Sequence, residues 1–587
     1  MASPTAHNNL RWADLIIEEC VRNGISRIYA SPGSRSTALV LAASRHPAVT
    51  MHMHVDERAS AFLALGYGRA TGKPAAWITT SGTALANGYP AIVEASMEAV
   101  PMLLLTADRP AELRDTDANQ TVHQEEMFGR YVRWFVDVPA PTDDISPNWL
   151  LATVDEAIHR SHDGPVHVNC AFRKPLHPDP ADTPSRTDSL KGMGTGEPRF
   201  DAWLSGSTPF ASWSLADAPS ADLAKRLDGR MRQAERPLII LGRLRGHPDS
   251  IREGACTLAQ AWGAVVAADI GSQARLGPGE EWLLPCVDAM LYGAAIDHMQ
   301  PDCILQFGAS PVSRRLNEWA GSAERIVVDH RPRRIDPGSR GGWRIEADAA
   351  RMLRQLVTGQ ADQPARERSS WSASWAAAAQ QVRKWEASDF GRGLTEQQAA
   401  RQLAARLRPG CSLTIASSNP VRHLDSFVLS TAHAVPVSCS RGASGIDGTL
   451  ATACGFSDGN NTRPVVLIGD LALLHDMTSL HLCAGRQAIV VLINNDGGGI
   501  FSYLPIREYA GAFEPWFGTP HGFGFEHAAL QFGMRHVQPA TLDAYEQALE
   551  QALDSAEPVL IEVRTDRQAN LEEQRRLLGA LRERLTP

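Results

Sequence analysis

Two strand-length apolar runs, PVVLIGD (464–470) and AIVVLINN (488–495), each end in a polar side chain and lie one helix apart. Asn495 follows Asp470 by 25 residues, room for a helix and a return strand, so both polar ends emerge at one edge of a parallel sheet. Runs that are apolar at every position must be buried on both faces, which requires helices above and below them. The same rhythm recurs along the chain. SRIYAS, VTMHMHV, AAWITT, PMLLLTA and PVHVNCAF form a first group; PLIILG, GAVVAADI, CILQFGA and RIVVDH a second; CSLTIASS and PVLIEV join the opening pair in a third.

The fold class that follows is α/β, three doubly wound parallel-sheet domains spanning 1–185, 186–370 with a preceding linker, and 371–587. Residues 176–215, rich in Pro, Asp, Ser, Thr and Gly, read as that linker, and the polar stretch TGQADQPARERSS separates the second group from the third. Asn9 is expected to cap the helix LRWADLIIEECVRN, with Gly24 ending it. Groups one and three each carry a strand that ends in a Ser/Pro loop with an arginine, SPGSRS and SSNPVR, which points to two related folds.

At 587 residues the chain is too long for one core. A formal charge of -9 without a clustered basic face argues against a nucleic-acid partner. Nine scattered cysteines with no C-x-x-C pair fit reduced thiols. The polar start MASPTAHNNL and apolar runs far below the roughly 18 residues of a membrane span predict a soluble, cytoplasmic protein with no membrane span.

The strand ends carry the chemistry. Asp470 and the Asn495 amide are hard oxygen donors suited to Mg²⁺ (or Mn²⁺), and Gly497 can add a backbone group. Glu57, in HVDERASAF, sits where a strand ends and a helix begins. Alone it is an acid stabilised by the helix dipole. Arg35, Arg109, Arg314, Arg315, Arg422 and Arg441 all lie on expected strand-end loops, and arginine holds carboxylates through a planar two-point fork. On these residues alone, a Mg²⁺-dependent nucleotide-binding or regulatory protein on the same frame fits as well.

The GD-x motif followed by NN about 25 residues later resembles the diphosphate motif of thiamin-diphosphate enzymes. Leu471 stands where that family usually has glycine, as in its menaquinone-pathway branch. With SPGSRST, HVDER, TADRPAEL, ANQ, SRGASGIDG and NNDGGGIF in the same order, nearly the whole chain resembles the synthase family that joins 2-oxoglutarate to isochorismate. The resemblance implies three domains of thiamin-diphosphate-enzyme type, the cofactor thiamin diphosphate and Mg²⁺ or Mn²⁺ held by Asp470, Asn495 and Gly497. It implies decarboxylation of 2-oxoglutarate and conjugate addition of the succinyl unit to isochorismate. Glu57 would activate the cofactor pyrimidine, with Ser81, Gly82, Thr83, Ile446, Gly469, Asp470, Leu471 and Asn495 around the cofactor. Arg35 and Gln120 would join Glu57 in catalysis. Ser34, Arg35, Arg109, Asn119, Gln120, Arg314, Arg315, Ser418, Arg422, Arg441, Ile500, Phe501 and Leu504 would line the substrates; some members have lysine at the place of Arg314. The family also implies a homodimer or homotetramer with its site at the subunit interface. A smaller-substrate thiamin enzyme, such as a 2-oxoacid decarboxylase, is the rival and would not need so many arginines. The middle group has no G-x-G-x-x-G, so no flavin or nicotinamide is expected there.

Overall fold

A computed structural model describes residues 3–586 apart from 193–195, 214–218, 294–295, 297–298, 361–363 and 365. Part of the expected linker and part of TGQADQPARERSS therefore lie outside the described residues.

Three parallel sheets form. The first contains β1 (Arg27–Ala30), β2 (Thr50–Met53), β3 (Ala75–Thr79), β4 (Met102–Asp108), β5 (Phe135–Val138) and β6 (Pro165–Ala171), in the order β2-β1-β3-β4-β6-β5. The second has β7 (Pro237–Leu241), β8 (Val265–Ala268), β9 (Cys303–Phe307), β10 (Glu324–Asp329) and β11 (Trp343–Glu346), ordered β11-β10-β9-β7-β8. The third has β12 (Cys411–Ile415), β13 (Val437–Cys439), β14 (Arg463–Gly469), β15 (Ile489–Asn494), β16 (Arg535–Val537) and β17 (Val559–Arg564), ordered β13-β12-β14-β15-β17-β16. Sheets one and three thus share one strand order, the relationship that SPGSRS and SSNPVR suggested. The continuous apolar runs are the buried central strands: every residue of β3, β4, β6, β7, β9 and β15 is inaccessible.

The chain forms two compact units. One comprises Met1–Leu215 with Ser440–Asn460, the other Ala216–Cys439 with Asn461–Pro587. In the first, helix Thr449–Asn460 lies along helix Glu57–Thr71 at backbone contact, because a Cβ on Gly455 would stand 2.0 Å from the Leu63 carbonyl oxygen. All nine cysteines are free thiols. No helix among the described residues is long and apolar enough to cross a membrane.

Two local expectations are corrected. The first helix starts at Pro4 with Ser3 as its cap, and Asn9 lies inside it, fully buried. The Asn9 amide instead donates to the carbonyls of Arg173 (2.7 Å) and Pro175 (3.1 Å), tethering the chain beyond β6. Gly24 does follow the helix end, with φ +83°. The segment read as a linker is folded onto the first sheet: helices Arg186–Lys191 and Pro198–Ser205 send Leu190, Phe200 and Trp203 into its core. Polar composition hid three apolar anchors spaced along it.

That strap is fastened by a buried acid pair. Trp203 Nε1 donates to Glu19 Oε2 (2.6 Å) and the Phe210 amide to Oε1 (2.7 Å), while the Ala211 amide donates to Asp155 (2.6 Å). Burial, and then the neighbouring Asp155, push the Glu19 carboxyl well above its ordinary 4.5. An acid protonated in the folded state and ionised in the unfolded one loses stability as pH rises above about 4.5. In urea titrations at pH 5 and pH 8, Glu19→Gln is expected to lose less stability between the two than the wild type. An equal decline in both proteins would remove Glu19 from the account.

Candidate active site

In a parallel sheet every strand delivers its loop at the carboxyl edge, and ligands gather where the strand order reverses. In the first sheet that point lies between β1 and β3. The loop after β1 carries Ser34 and Arg35, and the loop after β3 carries Ser81, Gly82 and Thr83. The two interlock: the Arg35 amide donates to Thr80 Oγ1 at 3.2 Å. The loop after β2 ends at Asp56, which caps helix Glu57–Thr71 by accepting from the Arg58 amide (2.9 Å) and the Ala59 amide (3.4 Å). Asp56 is thus engaged by its own helix, and half-buried Glu57 occupies the first turn, its Oε2 accepting from Asn87 Nδ2 at 3.4 Å.

Arg35 and Arg109, the latter directly after β4, are 6% and 7% exposed. Burial lowers both from the ordinary arginine range, and the neighbouring Arg109 charge lowers Arg35 further. Arg35 Nη1 donates to the Phe172 carbonyl at 2.8 Å, but Arg35 Nε and Arg109 Nη1 are buried without a hydrogen-bond partner. Such donors each carry a desolvation cost of about 1–3 kcal/mol, more for charged groups, which a ligand carboxylate would relieve. Ser81 Oγ is buried and partnerless too.

Asn119 and Gln120 ride an exposed loop in which Asp115, Asp117, Gln120 and Glu126 all have positive φ. Gln120 Nε2 donates to the Ser81 carbonyl at 2.8 Å. The loop is pinned by two residues that the sequence did not single out. Arg114 forks onto Asp137 (2.8 and 3.0 Å) and reaches Asp108 (3.0 Å). Buried Gln124 accepts from the Gly82 amide (3.0 Å) and donates to Asn169 Oδ1 (3.0 Å) and the Ala107 carbonyl (3.2 Å). Arg441 and Ile446 belong to the same unit, on a loop whose Gly442 and Ala443 amides donate to the buried carboxylate of Glu94 (3.1 and 2.6 Å). Ile446 is exposed.

The second unit holds the acidic half. Gly469 ends β14, Asp470 opens helix Asp470–His475, and Asn495 follows β15 directly. Asp470 Oδ1 accepts from the Leu471 amide (2.7 Å) and Oδ2 from the Gly497 amide (2.9 Å), with His521 Nε2 at 3.3 Å. Burial raises the Asp470 carboxyl above its ordinary value against these bonds. The Asn495 amide nitrogen donates to Glu396 (2.7 Å), while its oxygen, Oδ1, is buried with no partner. A partnerless amide oxygen near a desolvated carboxylate suits a hard, oxygen-seeking divalent cation, so the residues present fit Mg²⁺ or Mn²⁺.

Gly497 also has a packing role. At φ +127°, its Cβ would stand 1.9 Å from the Gly518 carbonyl oxygen, so the glycine admits the chain's own 517–519 segment. Its own carbonyl accepts from the Gly499 amide at 2.9 Å and keeps one lone pair. Ser418 follows β12 at φ +74°, its carbonyl taking Arg422 Nη1 at 2.5 Å. Ile500 and Phe501 lie in the turn Gly499–Tyr503, where Phe501 packs edge-on against Phe517 at 5.6 Å; Leu504 is exposed. Arg314 and Arg315, after β9, are committed elsewhere: Arg314 pairs with Glu318 (2.5 Å) and is 88% exposed, and Arg315 pairs with Asp288 (2.7 Å).

Comparison with known proteins agrees with this layout. Residues 10–127 match the "Thiamine pyrophosphate enzyme, N-terminal TPP binding domain", 197–415 the "Middle domain of thiamine pyrophosphate" and 428–563 the "Thiamine pyrophosphate enzyme, C-terminal TPP binding domain". Full-length relatives named 2-succinyl-5-enolpyruvyl-6-hydroxy-3-cyclohexene-1-carboxylate synthase are similar throughout. That of Rubrobacter xylanophilus is 44% identical over 98% of this chain and 99% of its own. That of Salinibacter ruber is 42% identical over 95% and 94%, and that of Halobacterium salinarum 37% identical over 98% of each. The chain belongs to the 2-succinyl-5-enolpyruvyl-6-hydroxy-3-cyclohexene-1-carboxylate synthase family of thiamine pyrophosphate enzymes.

Proposed function

We propose that this protein catalyses the family's menaquinone-pathway reaction: 2-oxoglutarate loses CO₂ and its remaining four-carbon unit is joined to isochorismate by conjugate addition. The observation that carries the reading is the desolvated pair Arg35 and Arg109, each with a buried donor left open, beside the Gln120–Ser81 contact. Both substrates are carboxylates. Open guanidinium donors in a dry site bind such anions strongly and with defined orientation.

Thiamin diphosphate, when bound, supplies the nucleophilic carbon and the electron sink that no side chain offers. Glu57, whose Oε1 is not engaged by Asn87, would contact the pyrimidine ring and move a proton there when the cofactor is bound. Ser81, Gly82, Thr83 and Ile446 contact the cofactor. Asp470, Asn495 and the free lone pair of the Gly497 carbonyl hold Mg²⁺ or Mn²⁺, with Gly469 and Leu471 beside the diphosphate. Arg35 and Gln120 orient the reacting carbons with Ser34 and Asn119. Arg109, Arg422 and Arg441 bind carboxylates with Ser418, while Ile500, Phe501 and Leu504 give an apolar wall. Arg314 and Arg315 would have to leave their ion pairs to take part, so they rank below the others. The protein works in the cytoplasm as a homodimer or homotetramer. Exposed Met53 and Val55 in one unit, and Tyr509 and Trp516 in the other, are apolar surface that a second copy would cover.

Incubating the protein with thiamin diphosphate, Mg²⁺, 2-oxoglutarate and isochorismate tests the reading. Isochorismate loss that needs all four additions and yields the adduct mass supports it; CO₂ release without isochorismate loss would show a different acceptor. Glu57→Gln should lower kcat by about 10²–10⁴, the scale of positioned proton transfer, without changing the fold by circular dichroism. Arg109→Lys, which keeps the charge and loses the fork, should raise the KM of one substrate by about 10- to 100-fold. An unchanged KM for both substrates would take Arg109 out of the site.

A further inference from the structure

The orphaned oxygen of Asn495 depends on a group that none of the motifs contains. An asparagine amide can present either end, and only its surroundings decide which. Here both surroundings and charge agree. Glu396, 1% exposed, opens helix Glu396–Arg406, where the helix dipole favours a carboxylate. Its Oε1 accepts from Asn495 Nδ2 (2.7 Å), Asn570 Nδ2 (2.9 Å) and Thr565 Oγ1 (3.4 Å), and its Oε2 lies 2.8 Å from His423 Nε2. Every contact to Oε1 is a donor. A flipped Asn495 would set its oxygen against a buried carboxylate oxygen, so the amide hydrogens must face Glu396.

We infer that Glu396 is a positioning residue: its buried carboxylate fixes the Asn495 amide with the oxygen left for the divalent cation. The inference rests on the proposed metal role of Asp470 and Asn495. Groups that orient a metal ligand are worth about 10- to 100-fold in affinity when removed. Glutamine at 396 can still place an acceptor oxygen against Asn495, whereas leucine cannot. Asn570 shares Glu396 but does not touch the amide of Asn495, so it reports on the network's packing alone.

The test is Mn²⁺ binding in the presence of thiamin diphosphate, followed by electron paramagnetic resonance of the free ion, with melting temperature measured alongside. Glu396→Leu should weaken Mn²⁺ by about 10- to 100-fold, while Glu396→Gln and Asn570→Ala stay within about threefold of wild type. The isosteric Asn495→Asp should bind Mn²⁺ more weakly despite its added charge, because an acceptor then meets the Glu396 oxygen, and its melting temperature shows whether the fold is kept. Unchanged affinity in Glu396→Leu, tighter binding in Asn495→Asp, or equal losses in Glu396→Leu and Asn570→Ala would each overturn the inference. Asp470→Asn indistinguishable from wild type would instead strike the metal reading beneath it.

Discussion

Parallel pairing of fully apolar strands is the constraint on which the rest of this molecule depends. A strand such as Ile489–Asn494, buried on both faces, can carry a polar group along its length only where a neighbour satisfies it, as Thr106 on β4 does for His167 and Asn169 on β6. Polar chemistry is therefore expelled to the strand ends, and parallel pairing puts all the carboxyl ends on one side. Sheets one and three repeat the same strand order, so each presents two loops at the same reversal point. The first sheet places Arg35 there and the third Asp470, while Arg109 and Asn495 follow the adjacent strands β4 and β15. The division of labour between a cationic and an anionic half is thus a matter of loop chemistry on one repeated frame.

Arginine on a loop says little until its solvation is known. Arg314 and Arg35 stand on comparable strand-end loops, yet their energetics are opposite. Arg314 is hydrated and neutralised within its own helix by Glu318, an exposed ion pair that adds little to stability. Arg35 and Arg109 have lost most of their water and repel one another, and their open donors take no hydrogen bond, although the Asp108 charge offsets part of the cost. That cost is tolerable because Asp108, Arg114 and Asp137 build a rigid charged lattice behind β4 that holds the loops in place. Desolvation with no carboxylate in hydrogen-bonding contact with the guanidinium sets Arg35 and Arg109 apart from the hydrated, ion-paired Arg314.

The legibility of the chain follows the same physics. Thirteen of the strands were readable, eleven of them central and mostly apolar, the other two being the edge strands β2 and β8. The four that were not, Phe135–Val138, Trp343–Glu346, Val437–Cys439 and Arg535–Val537, all lie at sheet edges. Edge strands need satisfy only one neighbour and one half-buried environment, so their sequences are short and mixed. Asp470 and Asn495 stood out by their spacing, and Glu57 only through the family resemblance. Glu396 and Gln124 did not stand out, since a glutamate in a helix's first turn and a glutamine in a polar loop each have a sufficient local explanation. Only the fold, which sets Glu396 beside Asn495 across 99 positions of sequence, reveals the second role. The Pro- and Ser-rich strap misled for the complementary reason: its average polarity concealed Phe200 and Trp203, and burial is decided by single side chains.

Both halves of the site rely on a buried primary amide. Gln124 takes the Gly82 amide on its oxygen and spends its nitrogen on Asn169 and Ala107; Asn495 spends its nitrogen on Glu396 and keeps its oxygen open. A carboxylate in either place would bring a charge to desolvate, and a hydroxyl would offer one donor where two are needed. The primary amide offers two donors and a carbonyl acceptor without charge, and its two ends are nearly the same size. Shape alone then cannot fix which end faces where, so each amide needs a neighbour of definite polarity. In the first unit that neighbour is backbone, which no substitution can change. In the second it is Glu396, a side chain, and there the orientation of the proposed metal ligand Asn495 is exposed to mutation.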